Sequence, residues 1–194
     1  KLTDKCKELE MIAILEVHDV TGKDDTSLLE TAADYWIEVK EALIGKENYV
    51  ILNIANEWVG NWDGQKWCDG YTSVIPRLRE AGIKNTIIVD AAGWGQYGQS
   101  VTDYGEQVFA ADPDANTMFS VHMYGTAGKN KATIARNLKL STDKGLCMIV
   151  GEFGWNHSDG DVDEEYILEY CNENSVGWLA WSWKGNGGGV EYLD

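Results

Sequence analysis

Short apolar runs recur along this chain at a nearly constant interval, with helical patterns between them. Residues 12–17 run into His18, 50–55 into Asn56-Glu57, and 86–89 into Asp90. Residues 118–121 run into His122, 147–150 into Gly151-Glu152, and 178–182 into Trp183. One unit therefore returns roughly every 30 to 40 residues, a spacing that fits one strand plus one helix. Helical patterns fill the gaps, for example over 27–43, 71–81 and 164–172, and turn signals such as Ala81-Gly82-Ile83 and Lys144-Gly145-Leu146 close them. Strand and helix in alternation predict repeated βαβ units and a parallel sheet. Polar and aromatic residues gather after five or six of the strands. A doubly wound sheet collects its ligands at one switch point, whereas a (β/α) barrel uses the carboxyl ends of many strands. The pattern favours the barrel.

A closed barrel has eight strands in about 250 residues. This chain has 194 residues, and six strands are legible in it. It opens on Leu2-Thr3-Asp4-Lys5-Cys6-Lys7-Glu8-Leu9, which reads as a helix, and Leu193-Asp194 follow the last strand and its loop. The expectation is an incomplete α/β, TIM-type barrel, about six βα units corresponding to strands 3–8, forming a single partial (β/α)-barrel domain over 1–194. The first two units and the closing helix are absent from this reading. Two open sheet edges expose unpaired backbone and apolar faces, so a homodimer or higher oligomer through those edges is expected.

Charge and composition narrow the partners. A formal net charge of -16 disfavours nucleic acid and anionic membrane surfaces. No apolar run reaches the ~20 residues of a membrane helix. Nine Trp is a heavy load, and indole is a common platform for the apolar face of a sugar. Four Cys (Cys6, Cys68, Cys147, Cys171) allow three full pairings and fit no zinc spacing. Cys147 falls in an apolar strand and Cys171 in a helix pattern, where buried free thiols are common. Their pairing stays open.

The chemistry concentrates on two glutamates. Glu57 follows 50–55, and Glu152 follows 147–150, each among Asn, Gly and Trp. Two acids at the ends of buried parallel strands suit a glycosidase, in which one acid protonates the leaving oxygen and the other attacks the sugar carbon.

Several runs appear in the order seen in glycoside hydrolase family 5: Asn56-Glu57, His122-Met123-Tyr124, Gly151-Glu152-Phe153-Gly154 and Trp181-Ser182-Trp183. With Leu15-Glu16-Val17-His18-Asp19, Asp90-Ala91-Ala92-Gly93-Trp94-Gly95-Gln96 and the run 177–186, the chain resembles the bacterial endo-β-1,4-mannanases of that family nearly throughout. The resemblance implies that Glu57 is the general acid/base and Glu152 the nucleophile of a retaining double displacement on mannan, galactomannan or glucomannan, without a cofactor and without a metal. It implies a raised pKa for Glu57 and an ionised Glu152, with Tyr124 donating to Glu152. Asn56 would bond the sugar 2-hydroxyl, and His18 and His122 would line the cleft. Trp181 is expected as the sugar platform and Trp94 as a further cleft wall, with Lys184 and Asn186 near the substrate and Trp178 and Trp183 as core or rim. In this family the second strand supplies an arginine near the nucleophile, and no residue here takes that part. A weaker nucleophile and a smaller separation of the two pKa values follow. Secretion is expected, although no signal peptide is visible in this chain. A β-1,4-glucanase and a non-catalytic carbohydrate-binding fragment are the alternatives.

Three other patterns point elsewhere. Gly93-Trp94-Gly95-Gln96-Tyr97-Gly98 spells a dinucleotide fingerprint, but bulky side chains fill it and no helix is evident after it. The acidic run 159–165 hints at calcium but lacks the EF-hand register, and acids at a helix start explain it better. Asn156-His157-Ser158 is a glycosylation sequon, and His157 reads as a loop residue.

Overall fold

The structure is a computed structural model that describes residues 1–183; the expected roles of Lys184 and Asn186 lie outside the described residues. Six strands form one parallel sheet in the order β1 (Ala13–Glu16), β2 (Val50–Asn53), β3 (Ile87–Asp90), β4 (Thr117–Met123), β5 (Met148–Phe153) and β8 (Gly177–Trp178). Each sequential neighbour in this order pairs in parallel, as repeated βαβ units require. A two-residue hairpin, β6 (Asn156–His157) with β7 (Gly160–Asp161), stands apart from the sheet. The sheet is an arc of an incomplete (β/α) barrel. It curls far enough that His18, beyond β1, stacks on Trp181, beyond β8, with ring centroids 5.9 Å apart.

Helices α1 (Leu2–Glu8), α2 (Thr26–Glu38), α3 (Gly64–Glu80), α4 (Gly98–Ala110), α5 (Lys131–Thr142) and α6 (Glu164–Asn174) fill the gaps. The side chains of Asp25, Asp63, Asn130 and Asp163 cap α2, α3, α5 and α6 by accepting backbone N–H bonds in the first turn. Asp163 settles the acidic run: it opens α6, with Glu164 and Glu165 in the first turn, where the helix dipole favours acids.

α3 begins seven residues before the expected 71. Trp67, Tyr71, Val74, Ile75 and Leu78 form its buried stripe, and Gly70 does not interrupt it. A Cβ on Gly70 would stand 2.3 Å from the Trp58 ring, so the glycine is there for close packing. The last strand is shorter than the expected 178–182, because only Gly177 and Trp178 pair with Ile149 and Val150. Cys147 is exposed just ahead of β5 rather than buried within it, whereas Cys68 and Cys171 are buried; all four thiols are free. Beneath the sheet, at the amino ends of β3 and β4, Arg79 makes two 2.8 Å bonds to Asp112 and also donates to the carbonyls of Ile83 and Asn85. The guanidinium and Thr117 oppose burial and hold the Asp112 carboxyl down at about 2. Every donor this buried Arg offers there has a partner, which a buried charge requires.

Candidate active site

The site grows from a buried acid. Asp90 closes β3 and is fully buried. Its Oδ2 accepts a 2.8 Å bond from Asn53 Nδ2 at the end of β2 and a 3.0 Å bond from the Glu57 backbone N–H. Its carbonyl accepts from Trp67 Nε1 at 2.7 Å. Glu57 sits at φ 49, left-handed backbone that a non-glycine residue adopts at a cost of order 1–3 kcal/mol unless its surroundings impose it. The bond from its N–H to Asp90 and the bond from Gly22 N–H to its carbonyl impose it. They turn the Glu57 side chain back over the sheet.

His122 and Glu152 lie inside β4 and β5 rather than beyond them. The ladder between these strands slips by one residue after Val121, so that His122 pairs with Glu152 instead of Gly151. Gly151 makes room: a Cβ there would meet Ser120 Oγ at 2.1 Å. His122 Nδ1 then lies 2.7 Å from Glu57 Oε1 and 3.6 Å from Glu152 Oε2, while its Nε2 lies 3.3 Å from Asp90 Oδ1. Gly95, at φ 70, passes so close that a Cβ would stand 2.6 Å from the imidazole, and its carbonyl accepts the His122 backbone N–H at 2.8 Å.

Tyr124 donates a 2.6 Å bond from its hydroxyl to Glu152 Oε2. Its ring stacks on His157 at 4.4 Å. His157 is thus a wall residue on β6, not a simple loop residue. Asp159 fastens this wall by accepting from the Gly125 and Thr126 N–H groups, the Thr126 hydroxyl and Gln96 Nε2, and by pairing with His157. These donors outweigh burial and hold the Asp159 carboxyl down at about 2. That leaves the acidic run with a loop anchor and a helix cap as its visible uses.

A cleft of about 510 Å³ gathers Glu57, Glu152, His18, Asn56, Trp94, Tyr124 and Trp181. An inner cavity of about 270 Å³, on the concave face of the sheet, adds His122 and Asp90. Every site residue expected from the sequence among the described residues faces one of the two. Asn56 donates from Nδ2 to Thr21 Oγ1, and its buried Oδ1 has no partner among the described residues, which leaves an acceptor for a ligand hydroxyl. Trp94 is half exposed at φ 59, with its ring packed over Gly22. Asp90, Thr21, Gln96, His157 and Asp159 line these cavities without having been expected there; the sequence marked Asp90 only as an acid closing an apolar strand, His157 as a loop residue and Asp159 as part of an acidic run.

The electrostatics depart from the expectation of an ionised Glu152. Burial pushes its carboxyl up to about 7; the His122 charge and the Tyr124 hydrogen bond oppose this, and Glu57 and Asp90 add to it. Burial works against a charge on His122, yet Glu152, Asp90 and Glu57 together raise its pKa well above the usual imidazole value. No Lys or Arg lines either cavity among the described residues, so three carboxylates share one imidazole. Glu57, His122 and Glu152 bring one polar atom each to within 4.8 Å of one another. The donor chemistry fits a proton better than a metal ion, because both imidazole nitrogens already face carboxylate oxygens and a metal-binding nitrogen must be free of its proton. The glycine-rich run 93–98 does lead into a helix, α4, contrary to expectation. Its glycines serve packing instead: Gly93 against Trp62, Gly95 against His122 and Gly98 against Asn137.

The family model for cellulase (glycosyl hydrolase family 5) matches residues 1–187. A mannan endo-1,4-beta-mannosidase of Salipaludibacillus agaradhaerens is 56 % identical over 194 residues, covering 100 % of this chain and 63 % of the relative. A second, from Streptomyces lividans, is 46 % identical over 197 residues, covering 100 % of this chain and 51 % of the relative. The solved β-mannanase of Thermomonospora fusca superposes with a TM-score of 0.92 at 44 % identity, over 100 % of this chain and 66 % of that one. The chain thus spans between half and two thirds of the length of these relatives. With the fold, the paired glutamates and the family match in agreement, this chain belongs to glycosyl hydrolase family 5.

Proposed function

We propose that the chain carries the reacting half of a retaining endo-β-1,4-mannanase. The observation that carries this reading is the pair Glu57 and Glu152, which face each other across His122 with carboxyl oxygens within 4.8 Å, close to the ~5–5.5 Å separation that retaining enzymes use. Glu57 protonates the glycosidic oxygen. Glu152, held by Tyr124, attacks the anomeric carbon to form a glycosyl-enzyme. Glu57 then takes a proton from water, which releases the sugar with net retention. Asn56 offers its open acceptor to the sugar, and Trp181 and His18 form the stacked floor. The identity to the two bacterial mannan endo-1,4-beta-mannosidases favours β-mannan, and the solved T. fusca enzyme in complex with mannohexaose shares the fold at a TM-score of 0.89. Secretion and edge-to-edge dimerisation belong to the same proposal. Exposed Met11 and Ile12 ahead of β1, and Trp178 and Leu179 at β8, favour the latter, and a monomeric mass in light scattering at micromolar concentration rules it out.

A second reading, β-1,4-glucan hydrolysis, draws on a relative named beta-mannanase/endoglucanase A, of Caldicellulosiruptor saccharolyticus, 44 % identical over 188 residues. Reducing-sugar release from soluble galactomannan and from soluble cellulose, with Glu152→Gln run at equal concentration, separates the readings. Release from galactomannan that vanishes in the variant supports the mannanase. Release from cellulose alone moves the assignment to a glucanase. Binding of manno-oligosaccharide without release leaves a carbohydrate-binding fragment.

A further inference from the structure

Asp90 is the most deeply buried acid near the site, and the reaction just described makes no use of it. Among the described residues its carboxylate has no Lys or Arg partner, although a buried carboxylate needs a compensating charge. Oδ2 takes two neutral donors, Asn53 Nδ2 and the Glu57 N–H. Oδ1 has no hydrogen-bond partner among the described residues, and His122 Nε2 stands 3.3 Å from it as an ion-pair contact. The opposite ring nitrogen meets Glu57 Oε1 at 2.7 Å. The imidazole thus has the buried Asp90 carboxylate at one ring nitrogen and the Glu57 and Glu152 carboxyl groups at the other, and negative charge beside the ring favours the form in which both nitrogens carry protons.

We propose that Asp90 is a positioning residue: by pairing with Nε2 of His122 it keeps that imidazole doubly protonated and turned toward Glu57, so that His122 serves as the fixed cation behind both reacting carboxylates. The inference rests on the reading of Glu57 and Glu152 as the reacting pair. The groups that face His122 are Glu57 from the loop after β2, Asp90 from β3, Glu152 from β5 and, through Glu152, the Tyr124 phenol from the end of β4. Gly95 contributes only its carbonyl. Asp90 therefore acts on the site twice. It stabilises the imidazolium, and its own negative charge disfavours ionisation of Glu152.

The test is the protonation state of His122 followed by nitrogen NMR on histidine-labelled protein between pH 5 and 9, in the parent and in Asp90→Asn. The chain has three His, so His18→Gln and His157→Gln assign the signals. In the parent, His122 is charged at pH 7. In Asp90→Asn it titrates at least one pH unit lower. The alkaline limb of kcat/KM on galactomannan moves down with it, and KM changes less than twofold. A second variant carries the opposite sign: Asn53→Ala removes a competing donor from Asp90, strengthens the ion pair and moves the His122 titration upward. A His122 that is neutral at pH 7 in the parent overturns the proposal. So does a titration that fails to move, or moves the other way, in whichever variant folds. The NMR needs no turnover, so an inactive chain would overturn the proposed function while still deciding this point.

Discussion

The middle of the sheet and its two ends are built differently. From β2 to β5 the strands are almost wholly buried, and their polar residues answer one another: Asn53 to Asp90, Asp90 to His122, His122 to Glu57 and Glu152, Glu152 to Tyr124. At the ends, β1 is half-buried and both residues of β8 are exposed. The ends contribute rings, with His18 stacked on Trp181 above the cleft. Charge is thus arranged where water is excluded and electrostatic interactions are strong, while flat surface for a sugar is arranged at the rim. Under the proposed function the centre would govern the chemical step and the ends would govern binding.

The largest expected effect falls at the centre. Glu57→Gln lowers kcat on galactomannan about 10²–10⁴-fold, the contribution typical of a general acid, and steady-state rates check it. Tyr124→Phe removes the donor to Glu152 and costs on the order of 10²-fold in kcat, as the loss of one preorganised donor does. A fall confined to KM would break the division between centre and ends. Trp181→Ala acts at the rim. It raises KM about tenfold, which corresponds to ~1.4 kcal/mol of binding, and leaves kcat within about threefold; this is checked on manno-oligosaccharides of known length. A kcat loss as large as that of Tyr124→Phe would again break the comparison. The smallest effect is on stability. Glu152 has its carboxyl raised to about 7 in the fold, against ~4.3 in an unfolded chain. Its protonated form is therefore favoured by folding, and the stability this gives is complete below about pH 4 and lost as the pH rises through 7. Glu152→Gln suffers no such loss. Relative to the parent it gains roughly 1–3 kcal/mol, several degrees in Tm, between pH 5 and pH 8. A gap that stays constant over that range would show that the central acid is not held against its own ionisation.

Much of this arrangement was legible in the chain. The recurring apolar runs gave all six strands, and the residues closing them gave Glu57, His122, Glu152 and Tyr124 through their place in the family's order. The errors came where a local rule met a tertiary one. α3 starts at Gly64 because packing against Trp58 rewards a glycine inside the helix, which propensity alone disfavours. Glu152 faces His122 because a bulge at Gly151 in β5 resets the register, and no periodicity announces a bulge. His157 looked like loop and became a wall, because Tyr124 stacks on it from 33 positions earlier in the chain.

Periodicity is a property of neighbours along the chain, so the sequence by itself determined that strands and helices alternate, that the sheet is parallel, and which acids stand at strand ends. It did not determine which charges share a dielectric. Glu57, Asp90, His122 and Glu152 come from four different βα units, and only the curl of the sheet brings the three carboxyl groups within 3.6 Å of one imidazole. The ordering of the carboxyl pKa values depends on burial and on those distances, and both are properties of the fold rather than of any single segment.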